Sequence, residues 1–226
     1  MPNGRAGCQH CVGAMDTFTS PGTPELPARP STPAEALAAL KAGNQRYVSA
    51  STVALDYGRL GDQIAETQRP FAAIIGCADS RVSPSLIFDL ALGNIFVSRV
   101  AGNSVDVATL GSTEYAVAVL EVPLVMVLGH SNCGAVTAAI DVANGKASFP
   151  ADEFGVIAPM LEPVIDPVKA LPANERTLDR SIAANARAQA TRLASAGPIL
   201  KRAVGSGRLE VVAAVYDIRS GRVELV

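Results

Sequence analysis

Two short apolar runs, residues 71–75 and 124–128, constrain this chain more than any other feature of it. Both are rich in branched side chains and bounded by Pro and Gly, which suits strands buried on both faces of a parallel sheet. Each run stops at a cluster of chemistry-bearing residues: Gly76-Cys77-Ala78-Asp79-Ser80-Arg81 after the first, Gly129-His130-Ser131-Asn132-Cys133 after the second. Functional groups in such sheets collect just beyond the carboxyl ends of the strands. Two thiolates and one imidazole are therefore expected to meet in one crevice. Further strands are predicted at 94–100 and 209–216, with an edge strand at 223–226 after the turn Arg219-Ser220-Gly221. Alternation of these runs with helical segments gives an α/β fold, a mainly parallel central sheet flanked by helices.

The first helix is announced by Thr32, Pro33 and Glu35, a capping box with Pro at the first helical position. Leu37, Leu40, Asn44 and Tyr47 then share one face. Residues 63–69 lead into the first strand, and a short helix from Ser83-Pro84 to Leu90 follows the first cluster. A helix is predicted over 107–120, stopped before Pro123, and another over 134–143, continuing straight from Cys133. Its amino end faces the second cluster, where the helix dipole favours a thiolate or a bound anion. Residues 151–169 read as helix with proline interruptions, and Asn174 caps a longer helix to 194, ended by Gly197-Pro198.

One catalytic domain, 32–226, follows a tail of residues 1–31 too rich in Gly, Pro, Ser and Thr to bury a core. Within the tail, Pro21, Pro24, Pro27, Pro30 and Pro33 recur every third residue, the period of polyproline II, and are read as a stiff spacer. Cys8, His10 and Cys11 are crowded into four positions without a second pair, which fits adventitious chelation, and Met15 offers an alternative start. A net charge of −2 with dispersed basic residues gives no footprint for nucleic acid or anionic lipid. No apolar run reaches the ~18 residues of a membrane span, nor does the start carry a signal-peptide core. The cytoplasm is the expected location, and it also suits thiolate ligands.

Cys77, His130 and Cys133 supply three N/S ligands and leave a fourth position open, the pattern of catalytic zinc. Asp79, two residues after a ligand, has two options. It can close the fourth position, or it can be held back by the guanidinium fork of Arg81 and serve the reacting water. A zinc-stabilised binding module permanently closed by Asp79 is the non-enzymatic alternative. A zinc deaminase would need a His-x-Glu and Pro-Cys-x-x-Cys pair that the chain lacks.

Cys77-Ala78-Asp79-Ser80-Arg81-Val82 and Gly129-His130-Ser131-Asn132-Cys133-Gly134 resemble the two signatures of the β-class carbonic anhydrases. The likeness runs over residues 33–226 and includes Asn94-Ile95-Phe96-Val97-Ser98-Arg99 and Gly111-Ser112-Thr113-Glu114-Tyr115-Ala116-Val117. It implies one zinc ion per chain and reversible hydration of carbon dioxide to bicarbonate by zinc-bound hydroxide, with Asp79 and Arg81 as gate and orienting pair. Water on such a site ionises near pH ~7. A small uncharged substrate needs apolar walls and a donor. By resemblance Gln68 matches the substrate-site glutamine of the plant-like subgroup, Phe96 supplies wall, and Tyr115 matches an aromatic near the subunit boundary. Ile74 stands where the subgroup with an allosteric bicarbonate site carries Trp, so that regulation is not expected. The resemblance also implies a homodimer, or a tetramer built from dimers, with the N-terminal helix as an arm. His130 is committed to the metal and His10 lies in the tail, so buffer or Asp79 with water carries the proton. Hydration of a sulfur analogue such as carbon disulfide is the rival reaction.

Overall fold

The computed structural model describes residues 28–53, 65 and 67–226. Five strands form one sheet in the order β2-β1-β3-β4-β5: β1 Ala72–Gly76, β2 Ile95–Arg99, β3 Leu124–His130, β4 Glu210–Tyr216 and β5 Val223–Leu225. The first four are parallel, and β5 closes one edge antiparallel to β4. The two apolar runs become the central strands β1 and β3, buried along their whole length. Their side chains divide between two cores, as a sheet covered on both faces requires. Ala73, Ile75, Val125 and Val127 pack with Val117, Ala186, Leu193 and Leu200. Ala72, Ile74, Leu124, Met126 and Leu128 pack with Ala36, Leu40 and Phe88.

Eight helices cover the sheet among the described residues: α1 Pro33–Val48, α2 Pro84–Ile87, α3 Val107–Ala118, α4 Gly134–Ala143, α5 Ala151–Phe154, α6 Ile157–Lys169, α7 Leu178–Ser195 and α8 Pro198–Gly205. The capping box at Thr32 is formed: Oγ1 of Thr32 accepts from the Glu35 amide while the Glu35 carboxylate accepts from the Thr32 amide. The helix it opens lies on its own sheet, with Ala36 and Leu40 fully buried. Gly43 lets it come that close, since a Cβ there would stand 1.8 Å from the Phe88 carbonyl oxygen.

The structure corrects the helix predictions at four places. The 151–169 segment breaks at Gly155, whose φ of +54° a side chain would resist, so α5 and α6 are separate. The long helix starts at Leu178, capped by Thr177 rather than Asn174, because residues 173–175 form a 3-10 turn instead. α8 was not anticipated; Gly197 at φ +40° turns the chain and Pro198 opens the helix, the same Pro-first signal as in α1. The helix after Ser83 ends at Ile87 rather than Leu90. Of the tail residues that are described, Arg29 is held by its guanidinium, which donates to the carbonyls of Pro70 (3.1 Å) and Leu120 (2.7 Å). Readings that concern residues 1–27, 63, 64 and 66 lie outside the described residues. Among the described residues no helix is long and apolar enough to cross a membrane.

Candidate metal centre

From β1 the chain goes to β2 on one side, and from β3 it reaches β4 on the other, so the loops leaving the two central strands diverge. The crevice opened where they part is where α/β sheets place their ligands. Gly76 and Leu128 are register partners, which brings Cys77, next after β1, beside His130, the last residue of β3. Cys133 caps α4 three residues later. One ligand atom from each of Cys77, His130 and Cys133 lies within 4.8 Å of the others, and all three residues are buried. Sequence spacing and tertiary geometry thus select the same trio.

Neighbours orient His130 and Cys77. The Nδ1 of His130 lies 2.9 Å from the Ser131 carbonyl, which fixes that nitrogen as the protonated one. Its Nε2 is buried and finds no hydrogen-bond partner among the described residues. A buried, unpaired imidazole nitrogen facing two sulfurs is costly unless a cation takes its lone pair. The Cys77 thiol is lowered chiefly by a hydrogen bond from Cys133, and Cys133 is raised chiefly by that same bond and then by burial. The Gly102 amide also donates to the Cys77 sulfur, at 3.3 Å. A buried set of S, N and S donors fits zinc.

Asp79 stands beside the trio, its Oδ2 4.0 Å from His130 Nε2. Arg81 holds it by three bonds: Nε to Oδ1 at 2.9 Å, Nη2 to Oδ2 at 2.7 Å, and its own amide to Oδ1 at 2.9 Å. That grip, led by the side-chain bonds, keeps the carboxyl well below the usual carboxylate range. Arg81 reaches the second loop too, at the Asn132 carbonyl (3.4 Å), where Asn132 occupies the left-handed region at φ +57°. Arg99, at the end of β2, donates to the carbonyls of Cys77 (2.9 Å) and Asp79 (2.5 Å), fixing the backbone on either side of Ala78. The second loop is pinned from β4: the Ser131 amide donates to the Tyr216 carbonyl and Oγ of Ser131 accepts from the Ile218 amide, both at 2.9 Å.

The predicted substrate residues lie elsewhere in the chain. Gln68 is exposed before the amino end of β1, while Cys77 follows its carboxyl end. Phe96 and Tyr115 are together, ring centroids 6.2 Å apart, on the flank formed by edge strand β2 and α3. None of the hydrogen bonds or apolar clusters that hold the trio includes Gln68, Phe96 or Tyr115. Sequence reasoning missed Arg99, Gly102 and Ser131. Arg99 sat unexploited in the quoted 94–99 segment, whereas an amide donor such as Gly102 leaves no side-chain signal.

The family profile described as carbonic anhydrase matches residues 72–223. A carbonic anhydrase of Mycolicibacterium smegmatis is 35% identical over 199 residues, 86% of this chain and 94% of that protein. The β-carbonic anhydrase of Coccomyxa, solved with acetazolamide, superposes with a TM-score of 0.62 at 31% identity, covering 73% of this chain and 75% of that one. One of two tetrameric β-carbonic anhydrases of Sordaria macrospora is similar at a TM-score of 0.63 and 28% identity, covering 75% of this chain and 86% of that one.

Proposed function

This chain belongs to the β-class carbonic anhydrases, lyases that act on carbon dioxide, and from that footing we propose how its residues carry out reversible hydration to bicarbonate and a proton. Cys77 Sγ, His130 Nε2 and Cys133 Sγ would hold one zinc ion, with Asp79 as a conditional fourth ligand. Bound zinc supplies a Lewis acid that lets water ionise near neutral pH. The observation that carries this reading is the unpaired, buried Nε2 of His130 beside two free thiols, its other nitrogen already engaged.

Asp79, kept ionised by Arg81, accepts a hydrogen bond from the reacting water at Oδ2 and orients its lone pair toward carbon dioxide. Arg81 also prevents the carboxylate from closing the site, so the pair acts as a gate. A permanently closed binding module is disfavoured by the same three bonds. The domain's one imidazole sits in the trio, so the product proton leaves through Asp79 with water, or directly to buffer.

Gln68, Phe96 and Tyr115 would line the substrate cleft across a subunit boundary. The outer face of α3 supports this, because it exposes Val107, Tyr115 and Val119, at 86%, 47% and 58%, where a solvated helix would carry polar residues. A second copy of the chain is the occupant we assign to that face, giving a dimer or a pair of dimers. Neighbouring free thiols suit a reducing compartment, and we place the protein in the cytoplasm. Stopped-flow hydration of carbon dioxide by zinc-loaded protein tests the assignment, with carbon disulfide as the comparison substrate. Turnover of carbon disulfide alone would overturn it.

A further inference from the structure

We propose that Asn185 and Gln189, on α7, are positioning residues for the metal centre: they aim the Gly102 amide at the Cys77 sulfur and so set how strongly that sulfur donates to the metal. The inference rests on Cys77 being a ligand.

The chain of contacts begins in α6. Pro167 has no N–H, so the Pro163 carbonyl four residues earlier loses its helical donor. Gln189 Nε2 supplies one instead, at 2.7 Å. The same nitrogen donates to Asn185 Oδ1 at 3.1 Å, and Gln189 Oε1 accepts from the Val105 amide at 3.0 Å, so both N–H donors and the oxygen of this side chain are engaged. Asn185, held by its Oδ1, turns Nδ2 to the Gly102 carbonyl at 2.8 Å. That carbonyl belongs to the 3-10 turn 101–103, and the amide of the same glycine donates to Cys77 Sγ at 3.3 Å. Both polar ends of Gly102 are thereby committed, one to the helix and one to the ligand.

Burial and sterics make the linkage specific. Asn185 and Gln189 are 1% and 2% exposed, so a misdirected amide could not turn to water for a partner. Gly102 sits at φ +71°, and a Cβ would stand 3.0 Å from Val164 and 3.1 Å from Ala135, so the turn has no second seat. Hydrogen bonds to a ligating sulfur reduce its donation to the metal, and groups behind the ligands carry 10–100-fold effects on affinity, about the scale expected here.

The experiment uses the protein loaded with ¹¹³Cd²⁺ and, separately, with Co²⁺. In wild type the Gly102 amide proton should show scalar coupling to cadmium through the hydrogen bond to sulfur. Asn185→Asp turns the donor facing Gly102 into an acceptor, and Gln189→Glu removes the donor to Pro163. Both should abolish the coupling, move the sulfur-to-cobalt charge-transfer band to longer wavelength, and change zinc affinity about 10-fold or more in chelator competition. Ser181→Ala, a buried change on the same helix, should leave all three unchanged. Cadmium bound by Cys77 without coupling to Gly102 in wild type would overturn the inference alone, even if neither variant folds. Unchanged bands and affinities in both variants, or an equal shift in Ser181→Ala, would do the same. Protein that takes up neither metal would overturn the metal assignment itself.

Discussion

Cys77, His130 and Cys133 each bring one donor atom to a single buried cluster within 4.8 Å of the others. Cys77→Ser, His130→Ala and Cys133→Ser should therefore each lose zinc, to be read as metal per chain after dialysis; stoichiometric metal in all three would refute the ligand set. Asp79 and Arg81 call for a different readout. Arg81 depresses the Asp79 carboxyl, so it stays ionised across the working range and cannot itself be the group that titrates there. Any rise of rate toward alkaline pH then belongs to the reacting water and to release of the carboxylate onto Arg81. Arg81→Ala should lower activity across neutral pH with zinc retained, while Asp79→Ala should cost about 10²-fold or more by loss of an oriented acceptor. Rate against pH with zinc measured in parallel separates the two, and an Arg81→Ala profile equal to wild type would remove the gate. These residues were legible in sequence because ligand chemistry demands particular side chains. Arg99 and Ser131 work through backbone carbonyls and amides, and sequence shows no acceptor for them.

At the scale of elements, the strength of a cap and the cost of a close approach can be set against each other. Asp106 caps α3 by accepting from the Thr109 amide at 2.7 Å, and that bond lowers its carboxyl below the ordinary range. A depressed folded value means that the unfolded chain binds the proton first. The cap's charge-dependent contribution is present above the unfolded value of about 3.9 and fades as pH falls through the folded one. Asp106→Ala should cost about 1 kcal/mol at neutral pH. Asp106→Asn should cost less and differ least from wild type in acid, as urea denaturation at several pH values would show. Gly43→Ala tests the approach of α1 to its sheet. Alanine favours a helix over glycine by about 1 kcal/mol. A Cβ 1.8 Å from the Phe88 carbonyl cannot be relieved by a rotamer, and overpacking costs typically about 1–3 kcal/mol, so the variant should come out less stable. A stabilised Gly43→Ala would show that α1 does not sit there. The capping box of α1 and the proline-first start of α2 were readable ahead of the structure, whereas the same proline signal at α8 was read only as a stop. The break at Gly155 and the start of α7 at Leu178, capped by Thr177, were not readable, since local propensity allowed more than one boundary.

For the whole molecule the open question is what covers α3. Its inner face fills the core with Ala116 and Val117, and its outer face is apolar as well, which a solvated helix would avoid. Val119→Glu should place a charge in the proposed intersubunit contact without touching the core. Sedimentation velocity should then show smaller particles, and zinc should remain bound while hydration activity falls, if Phe96 and Tyr115 serve a neighbouring subunit's cleft. Unchanged assembly and full activity would assign that face to solvent.

Sequence by itself determined the two central strands, the capping of α1, the metal trio and the Asp79–Arg81 pair. Each is a local matter: hydrophobic runs too short and branched for anything but buried strands, or side chains whose chemistry few others can supply. Only the tertiary structure decided that Phe96 and Tyr115 pack together on the flank formed by β2 and α3 and that Arg99 reaches back to the Cys77 and Asp79 carbonyls, because these pairs meet only once the strands are laid side by side. It alone revealed that Gln189 and Asn185 in α7 link the Pro163 carbonyl of α6 to the Gly102 carbonyl, while the Gly102 amide donates to the Cys77 sulfur. That chain of contacts runs through carbonyls and amides, which every residue carries and no sequence pattern marks.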